Sequence, residues 1–143
     1  MLSIRKIFLK PLILFFTFLI VGCGKDIEHP VPDVHVYFEL NLTMPSNASL
    51  NAIGGWEYYT GGYQGIIIYR LSEDEFKAFD RACTHNISNK IFVEDPPMAK
   101  CKECGSMYLL LDGSVAEGPA KHRLKEYRTR WNDPILTIGL DYY

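Results

Sequence analysis

The 143-residue chain carries 15 lysines and arginines against 17 aspartates and glutamates, which gives a formal net charge of −2 at pH 7. A mildly acidic surface is not typical of proteins whose main partner is nucleic acid or an anionic membrane surface, so we expect no nucleic-acid binding. The length suits one domain with a real hydrophobic core and leaves no room for a separate catalytic domain.

The first predicted element is an export signal. Basic residues at the start of the chain precede an apolar run at positions 12–21, which ends at Gly22-Cys23. That run is shorter than the about 20 apolar residues of a membrane-spanning helix, and the pattern is typical of a cleaved signal peptide. The string Ile20-Val21-Gly22-Cys23 resembles a lipobox, which implies that the Cys23 thiol carries lipid. We therefore expect a lipoprotein of the cell envelope, anchored to a membrane and facing the periplasm or the cell exterior.

A tether and then a folded domain follow this signal. We divide the chain into a signal peptide at 1–22, a lipidated tether at 23–33 and one folded domain at 34–143, because the tether contains several charges and two prolines. Val34 to Leu42 alternates apolar and polar residues, which predicts a half-buried strand. Met44 to Gly65 carries two glycine pairs and several aromatic residues, which indicates loops and short strands.

The middle of the chain contains two clear strands. Gly65 to Leu71 is a β-branched run that favours burial on both faces. Phe76 to Asp80 alternates again and leads into the segment Cys83-Thr84-His85. Residues 86–100 contain Pro96-Pro97 and are predicted to form a loop.

The last third of the chain completes an all-β prediction. Strands are expected at Met107–Leu111, Leu124–Trp131 and Ile135–Leu140, with a hairpin turn at Asp112-Gly113. No helical period persists for even three turns, so the predicted elements are strands joined by turns and loops.

Cysteine spacing carries the chemical signal. If Cys23 is acylated, Cys83, Cys101 and Cys104 remain, and three cysteines cannot all pair as disulfides. A leftover thiol is a liability in an oxidising compartment, and His85 stands where a fourth ligand is needed. Thiolates and an imidazole, spaced as C-x-H and C-x-x-C, favour zinc or an iron–sulfur cluster.

Spacing alone leaves other uses of these residues open. Cys101 and Cys104 could form a disulfide that leaves Cys83 alone, or all three could be buried side chains without chemistry. Cys83 could also act as a nucleophile beside His85, but no third group that would orient the pair is evident. None of these alternatives accounts for the spacing of all four residues.

The sequence around the ligand pairs is more specific than their spacing. The segments YRLSEDEFKAFDRACTH and CKECGSMYLLLDGSVAEGPAKHRLKEY resemble the Rieske pattern, in which C-x-H and C-x-x-H-G-S-x-Y/F are followed by D-G and G-P-A. The resemblance spans Gly65 to Leu140 and implies a small Rieske-like antiparallel β-sandwich with two ligand-bearing loops. It also implies a [2Fe-2S] cluster whose candidate ligands are Cys83, His85, Cys101 and Cys104.

The resemblance also assigns supporting roles. Ser106 and Tyr108 stand where members of the family place hydroxyl groups that hydrogen-bond the cluster and a cysteine sulfur. Gly118-Pro119-Ala120 matches the loop that covers the cluster in that family. These assignments predict that three separate segments meet at one site.

One departure from the family pattern bears on function, because Cys104 stands where the family has its second histidine. An extra thiolate adds negative charge and lowers the reduction potential, and His85 is left as the one ligand able to gain a proton on reduction. We therefore expect a membrane-anchored electron-transfer protein with an unidentified redox partner. Such a chain is not catalytic alone and would be an electron-transfer component of an oxidoreductase. The alternative is an interaction module on the cell envelope that binds Zn²⁺ or holds no cluster.

Overall fold

A computed structural model describes residues 28–139, which contain eleven strands and one short 3₁₀ helix. The strands are β1 (Phe38–Asn41), β2 (Trp56–Tyr59), β3 (Ile66–Arg70), β4 (Phe76–Asp80), β5 (Ile91–Asp95), β6 (Met98–Cys101), β7 (Met107–Leu109), β8 (Val115–Glu117), β9 (Glu126–Tyr127), β10 (Thr129–Asn132) and β11 (Ile135–Ile138). The 3₁₀ helix spans Pro45–Asn51. The predicted signal peptide and Cys23 lie outside the described residues. Within residues 28–139, no helix has the length and apolar character that crossing a bilayer requires.

The strands form three antiparallel sheets. The first sheet has the order β1-β11-β10, the second β2-β3-β4-β9 and the third β5-β6-β7-β8. All pairings between these strands are antiparallel. The all-β prediction is therefore confirmed.

Strand β3 lies between two hydrophobic cores, which explains its uninterrupted apolar sequence. Ile66 and Ile68 pack into a core with residues of the first sheet, whereas Ile67 and Tyr69 pack into a core that contains cysteines. Successive side chains of a strand point to opposite faces, so one strand contributes to both cores. All four side chains are buried, and the predicted burial of this strand on both faces is confirmed. Each buried isoleucine contributes about 1.5–3 kcal/mol relative to exposure.

We name the core that contains the cysteines the thiol-side core. Its buried members are Ile67, Tyr69, Phe79, Cys83, Ile91, Ala99, Cys101, Tyr108, Leu110, Ala120 and Leu124. These residues come from the second and third sheets, from the connections β4–β5 and β7–β8, and from the segment between β8 and β9. The thiol-side core therefore joins the two sheets that flank the candidate ligands.

The predicted loop at residues 86–100 is wrong from Ile91 onward. Strands β5 and β6 form a hairpin there, and Pro96-Pro97 makes its two-residue turn. Proline cannot donate to a ladder, but in the turn it has no ladder bond to make. The hairpin pairs Ile91 with Cys101, so it places the end of the first cysteine loop beside the start of the second.

The first predicted strand is shorter than the alternation of Val34–Leu42 suggests. Strand β1 pairs with β11 over Phe38–Asn41 because β11 is itself four residues long. Val36 and Leu42 are nevertheless buried, as the alternation predicts. Ahead of the strand, Val31 is 1% exposed, and Asp33 forms an ion pair with Lys125. Residues 31–33 therefore lie against the domain.

The later strands occur close to where they are predicted, with different bounds. The predicted strand Leu124–Trp131 is divided into β9, which pairs with β4, and β10, which pairs with β11. The chain thus leaves the second sheet for the first at Arg128, and an unbroken strand could not join both sheets. The predicted turn at Asp112-Gly113 lies between β7 and β8.

Candidate metal centre

The first ligand loop connects β4 to β5 and carries Cys83, Thr84 and His85. Its base is closed by backbone hydrogen bonds, since the Cys83 N–H donates to the Asn89 carbonyl over 2.9 Å and the Asn89 N–H donates to the Asn86 carbonyl over 3.0 Å. Cys83 and Thr84 are buried, whereas His85 is exposed. The loop therefore turns a thiol inward and an imidazole outward.

The second ligand loop is the turn between β6 and β7, which carries Cys101 and Cys104. The Cys101 N–H donates to the Ser106 carbonyl over 2.8 Å, and the Gly105 N–H donates to the Cys101 carbonyl over 2.9 Å. Gly105 has a φ of 75°, a left-handed conformation that favours glycine. This tight turn brings two cysteine side chains to one side of the hairpin.

The three cysteine sulfurs of the two loops converge. The Sγ atoms of Cys83, Cys101 and Cys104 all lie within 4.8 Å of one another, and those of Cys83 and Cys104 are 3.5 Å apart. Cys83 and Cys101 are fully buried and Cys104 is half-buried. All three thiols are free, so the structure contains neither the alternative Cys101–Cys104 disulfide nor a set of scattered core cysteines.

His85 lies at the edge of the site and not among the grouped sulfurs. It lines a cavity of about 550 Å³ together with Cys104, Glu103 and Pro30. We name these four residues the open rim. The structure thus brings three of the four predicted ligands together and places the fourth beside the most accessible of them.

Ser106 connects the second ligand loop to the segment that follows β8 by a hydrogen bond. Its Oγ accepts a hydrogen bond from the Ala120 N–H over 3.1 Å and another from the Cys104 thiol over 3.1 Å. Gly118 lies so close that a Cβ there would be 2.6 Å from the Ser106 Cα. Residues 118–120 therefore lie against the second ligand loop, next to the group of thiols.

Tyr108 lies beneath the first ligand loop and is fully buried. Its phenol oxygen is 3.5 Å from the Cys83 Sγ and accepts a hydrogen bond from the Thr84 N–H over 3.1 Å. Burial raises the pKa of the Tyr108 phenol, and the contact with Cys83 raises it further. The phenol therefore stays neutral and keeps its proton as a donor.

The thiols differ in how easily they lose a proton. Burial raises the pKa of the Cys101 thiol to about 11. Burial also opposes ionisation of Cys104, but hydrogen bonds from Ser106 and the neighbouring thiols outweigh it, so the pKa of Cys104 lies below its ordinary value. Because ligation by thiolate requires deprotonation, a cation bound here would displace these protons.

The donor set fits a thiolate-ligated metal centre. Three soft sulfur ligands in a buried group, with one imidazole beside them, suit an iron–sulfur cluster or another thiophilic metal. Hydroxyl groups of Ser106 and Tyr108 contact two of the three sulfurs. Both hydroxyl residues were predicted from the sequence.

Two buried polar residues of the site carry no separate signal in the sequence. Thr84 is 5% exposed and connects the first ligand loop to Tyr108 in β7 and to the His122 carbonyl, while Asp80 is fully buried at the end of β4. Threonine and aspartate are ordinarily exposed, so their burial becomes evident from the structure alone. The one sequence feature that indicates a buried carboxylate is the aspartate at the end of the alternating strand β4.

Comparison with known proteins gives a match in structure and none in sequence. No protein-family model and no curated protein matches the chain. Among solved structures, the cyanobacterial plasma membrane Rieske protein PetC3 from Synechocystis PCC 6803 is similar, with a TM-score of 0.55 and 20% identity over 65% of this chain and 93% of that chain. This chain has the Rieske fold.

Other Rieske structures agree with that assignment. A chain of the complex of reduced oxygenase and oxidized ferredoxin in carbazole 1,9a-dioxygenase aligns with a TM-score of 0.51 and 16% identity, over 74% of this chain and 94% of that chain. The terminal oxygenase of carbazole 1,9a-dioxygenase from Novosphingobium sp. KA1 aligns with a TM-score of 0.50 and 15% identity, over 76% of this chain and 30% of that chain. The Rieske-like sandwich predicted from the sequence is confirmed.

Proposed function

We propose that the chain is an electron-transfer protein that holds a [2Fe-2S] cluster on Cys83, His85, Cys101 and Cys104. The observation that carries the proposal is the convergence of three free thiols from two loops of a Rieske fold, with a histidine at the open rim. When bound, such a cluster supplies one-electron oxidation and reduction. The residues of the chain would bind the cluster, shield it from water and determine the side from which a redox partner reaches it.

The two sides of the site have different tasks. Cys83 and Cys101 lie in the thiol-side core and exclude water from one side of the ligand set. Cys104 and His85 face the cavity at the open rim, so electrons would enter and leave there. Ser106 supports this side, because its Oγ already accepts the Ala120 N–H and its own proton remains free to point at a Cys104 thiolate.

The proposed reaction is electron transfer between partners and not conversion of a substrate. The chain would act as the electron-transfer component of an oxidoreductase, and its partner is a redox protein that docks at the open rim. The proposal also includes lipid on Cys23 and a place on the outer side of a membrane, supported by the signal-like segment 1–22 and the lipobox-like residues that end at Cys23.

Metal analysis tests the proposal. The chain from Gly24 onward, produced without oxygen, is expected to be brown and to contain about two irons and two sulfides per molecule, as a [2Fe-2S] cluster requires. Cys104→Ser removes a ligand and should abolish most of this content, whereas Lys102→Ser, which changes an exposed neighbour in the same turn, should retain it. A colourless protein with one zinc per chain, or a metal-free protein with a disulfide, would refute the proposal.

A further inference from the structure

The Tyr108 hydroxyl has two acceptors within reach. It is 3.0 Å from the Thr84 Oγ1 and 3.5 Å from the Cys83 Sγ. It also accepts a hydrogen bond from the Thr84 N–H over 3.1 Å. A phenol has a single proton to donate, so the two acceptors compete for it.

A count of protons shows which acceptor is preferred. The Thr84 hydroxyl donates to the His122 carbonyl over 2.5 Å, and that donation uses its one proton. Thr84 can therefore take part in the 3.0 Å contact with Tyr108 as an acceptor alone. The Tyr108 proton is thus drawn towards Thr84, the nearer acceptor, and away from the Cys83 sulfur.

We call the chain of hydrogen bonds from Tyr108 through Thr84 to the His122 carbonyl the relay. The relay ends in the segment 118–123, which lies partly at the surface. His122 is half-buried, and its ring makes an edge contact with the His29 ring at a centroid distance of 6.5 Å. Pro119 and Lys121, which precede it, are exposed. The carbonyl that accepts the hydrogen bond from the Thr84 hydroxyl therefore belongs to an accessible segment next to the site.

We propose that Thr84 is a positioning residue, which holds the Tyr108 proton away from the Cys83 sulfur for as long as the His122 carbonyl lies within reach. The inference rests on the proposed cluster and deepens it. Hydrogen bonds to ligand sulfurs are among the factors that set the reduction potential of a cluster, since they stabilise the more negative reduced state. If the segment 118–123 moves away, the Thr84 hydroxyl can donate its hydrogen bond to the Tyr108 oxygen. The Tyr108 hydroxyl then donates to the Cys83 sulfur, and the reduction potential of the cluster rises.

A double-mutant cycle on the reduction potential tests this relay. Thr84→Val removes the competing acceptor, so its potential should lie above that of the wild type. Tyr108→Phe should lower the potential of the Thr84→Val protein by more than it lowers that of the wild type. Thr84→Ser keeps the hydroxyl and should leave the potential unchanged. Equal shifts on Tyr108→Phe in both backgrounds, or no rise in Thr84→Val, would overturn the inference.

A second measurement uses the metal-free protein and does not depend on the cluster. In its proton NMR spectrum, the buried Tyr108 hydroxyl proton should show a nuclear Overhauser effect to the Thr84 side chain. In Thr84→Val the effect should move to the Cys83 β protons. A Thr84 hydroxyl proton directed at Tyr108 and not at the His122 carbonyl would refute the relay. Absence of iron with the expected NMR result would refute the cluster and leave the relay in place.

Discussion

A single buried carboxylate, that of Asp80, connects the end of β4 to the neighbouring turn. It accepts hydrogen bonds from the Tyr127 hydroxyl over 2.7 Å, from the backbone N–H groups of Tyr63 and Gln64 over 2.5 and 3.1 Å, and from the Ala82 N–H over 2.8 Å. Ala82 directly precedes Cys83. The charge of Asp80 is thus satisfied by fixed donors, as burial demands, and it fixes the start of the first ligand loop.

Tyr127 provides a test of this network at the scale of one residue. Tyr127→Phe leaves the buried carboxylate without its side-chain donor and should cost about 1.5–3 kcal/mol of stability at neutral pH, the range for hydrogen bonds to charged groups. Burial raises the pKa of the Tyr127 phenol, and Asp80 raises it further by its hydrogen bond and its charge.

The pH dependence follows from that direction. A phenol whose folded pKa exceeds its ordinary value of 10.0 stabilises the fold fully below about pH 10, and this stabilisation is lost as the pH rises further. Urea denaturation should therefore show the wild type losing stability above pH 10, between pH 10 and pH 12, more steeply than Tyr127→Phe. Parallel losses in the two proteins would show that the phenol does not titrate against this network.

At the scale of elements, the segment 118–120 is held against the second ligand loop by close backbone contact. Gly118 has a φ of 96°, and a Cβ there would lie 2.6 Å from the Ser106 Cα and 2.9 Å from the Ser106 nitrogen. Gly105 also has a positive φ, but its hypothetical Cβ meets nothing within 4 Å. The two glycines therefore separate the cost of conformation from the cost of a clash.

Alanine at these two glycines should have different consequences. Gly105→Ala introduces no clash and only forces alanine into the left-handed conformation, which should lower the free energy of unfolding by about 1–2 kcal/mol. Gly118→Ala must also displace the loop from Ser106, so we expect a greater loss of stability and a faster loss of bound iron in air. Thermal unfolding and iron release measure the two effects. Equal behaviour of the variants would contradict the close contact.

The elements also show what sequence patterns can and cannot predict. Alternation locates β4 at Phe76–Asp80 and the β-branched run locates β3, because burial of a strand directly determines its residue pattern. The β5–β6 hairpin is missed, because Pro96-Pro97 is read as part of a loop although proline is compatible with a turn between strands. At the site, the three sulfurs follow from cysteine spacing, whereas Thr84 and its contact with the His122 carbonyl depend on a distant segment.

At the scale of the whole molecule, the open rim lies next to the start of the described chain. Pro30 lines the cavity with His85 and Cys104, and the adjoining Val31 is buried. Seven residues on from Cys23, Pro30 can lie at most about 25 Å from it, even if the intervening chain is fully extended. If Cys23 carries lipid, the rim is therefore confined to the neighbourhood of the bilayer, where a membrane-bound redox partner can reach it.

Tether length tests this arrangement. In vesicles that contain a gadolinium-chelating lipid, the reduced cluster of the lipidated protein should show enhanced electron-spin relaxation. A flexible Gly/Ser insertion of about 15 residues after Gly24 should weaken the enhancement, because it extends the reach of the tether. The chain from Gly24 onward, which has no Cys23, serves as the unanchored control. Enhancement that is unaffected by the insertion would contradict the confinement of the rim.

The central claim is that three cysteines and one histidine of a Rieske fold hold a [2Fe-2S] cluster. Pulsed EPR of the reduced protein, grown with ¹⁵N-labelled histidine, tests it most directly. We expect a paramagnetic cluster with strong coupling to one histidine nitrogen, lost in His85→Cys and retained in His122→Asn, because His122 lies beside the site without joining the ligand set. The account would be contradicted by a protein that gives no cluster signal. It would also be contradicted by a cluster signal without histidine coupling, or by a histidine coupling that persists in His85→Cys.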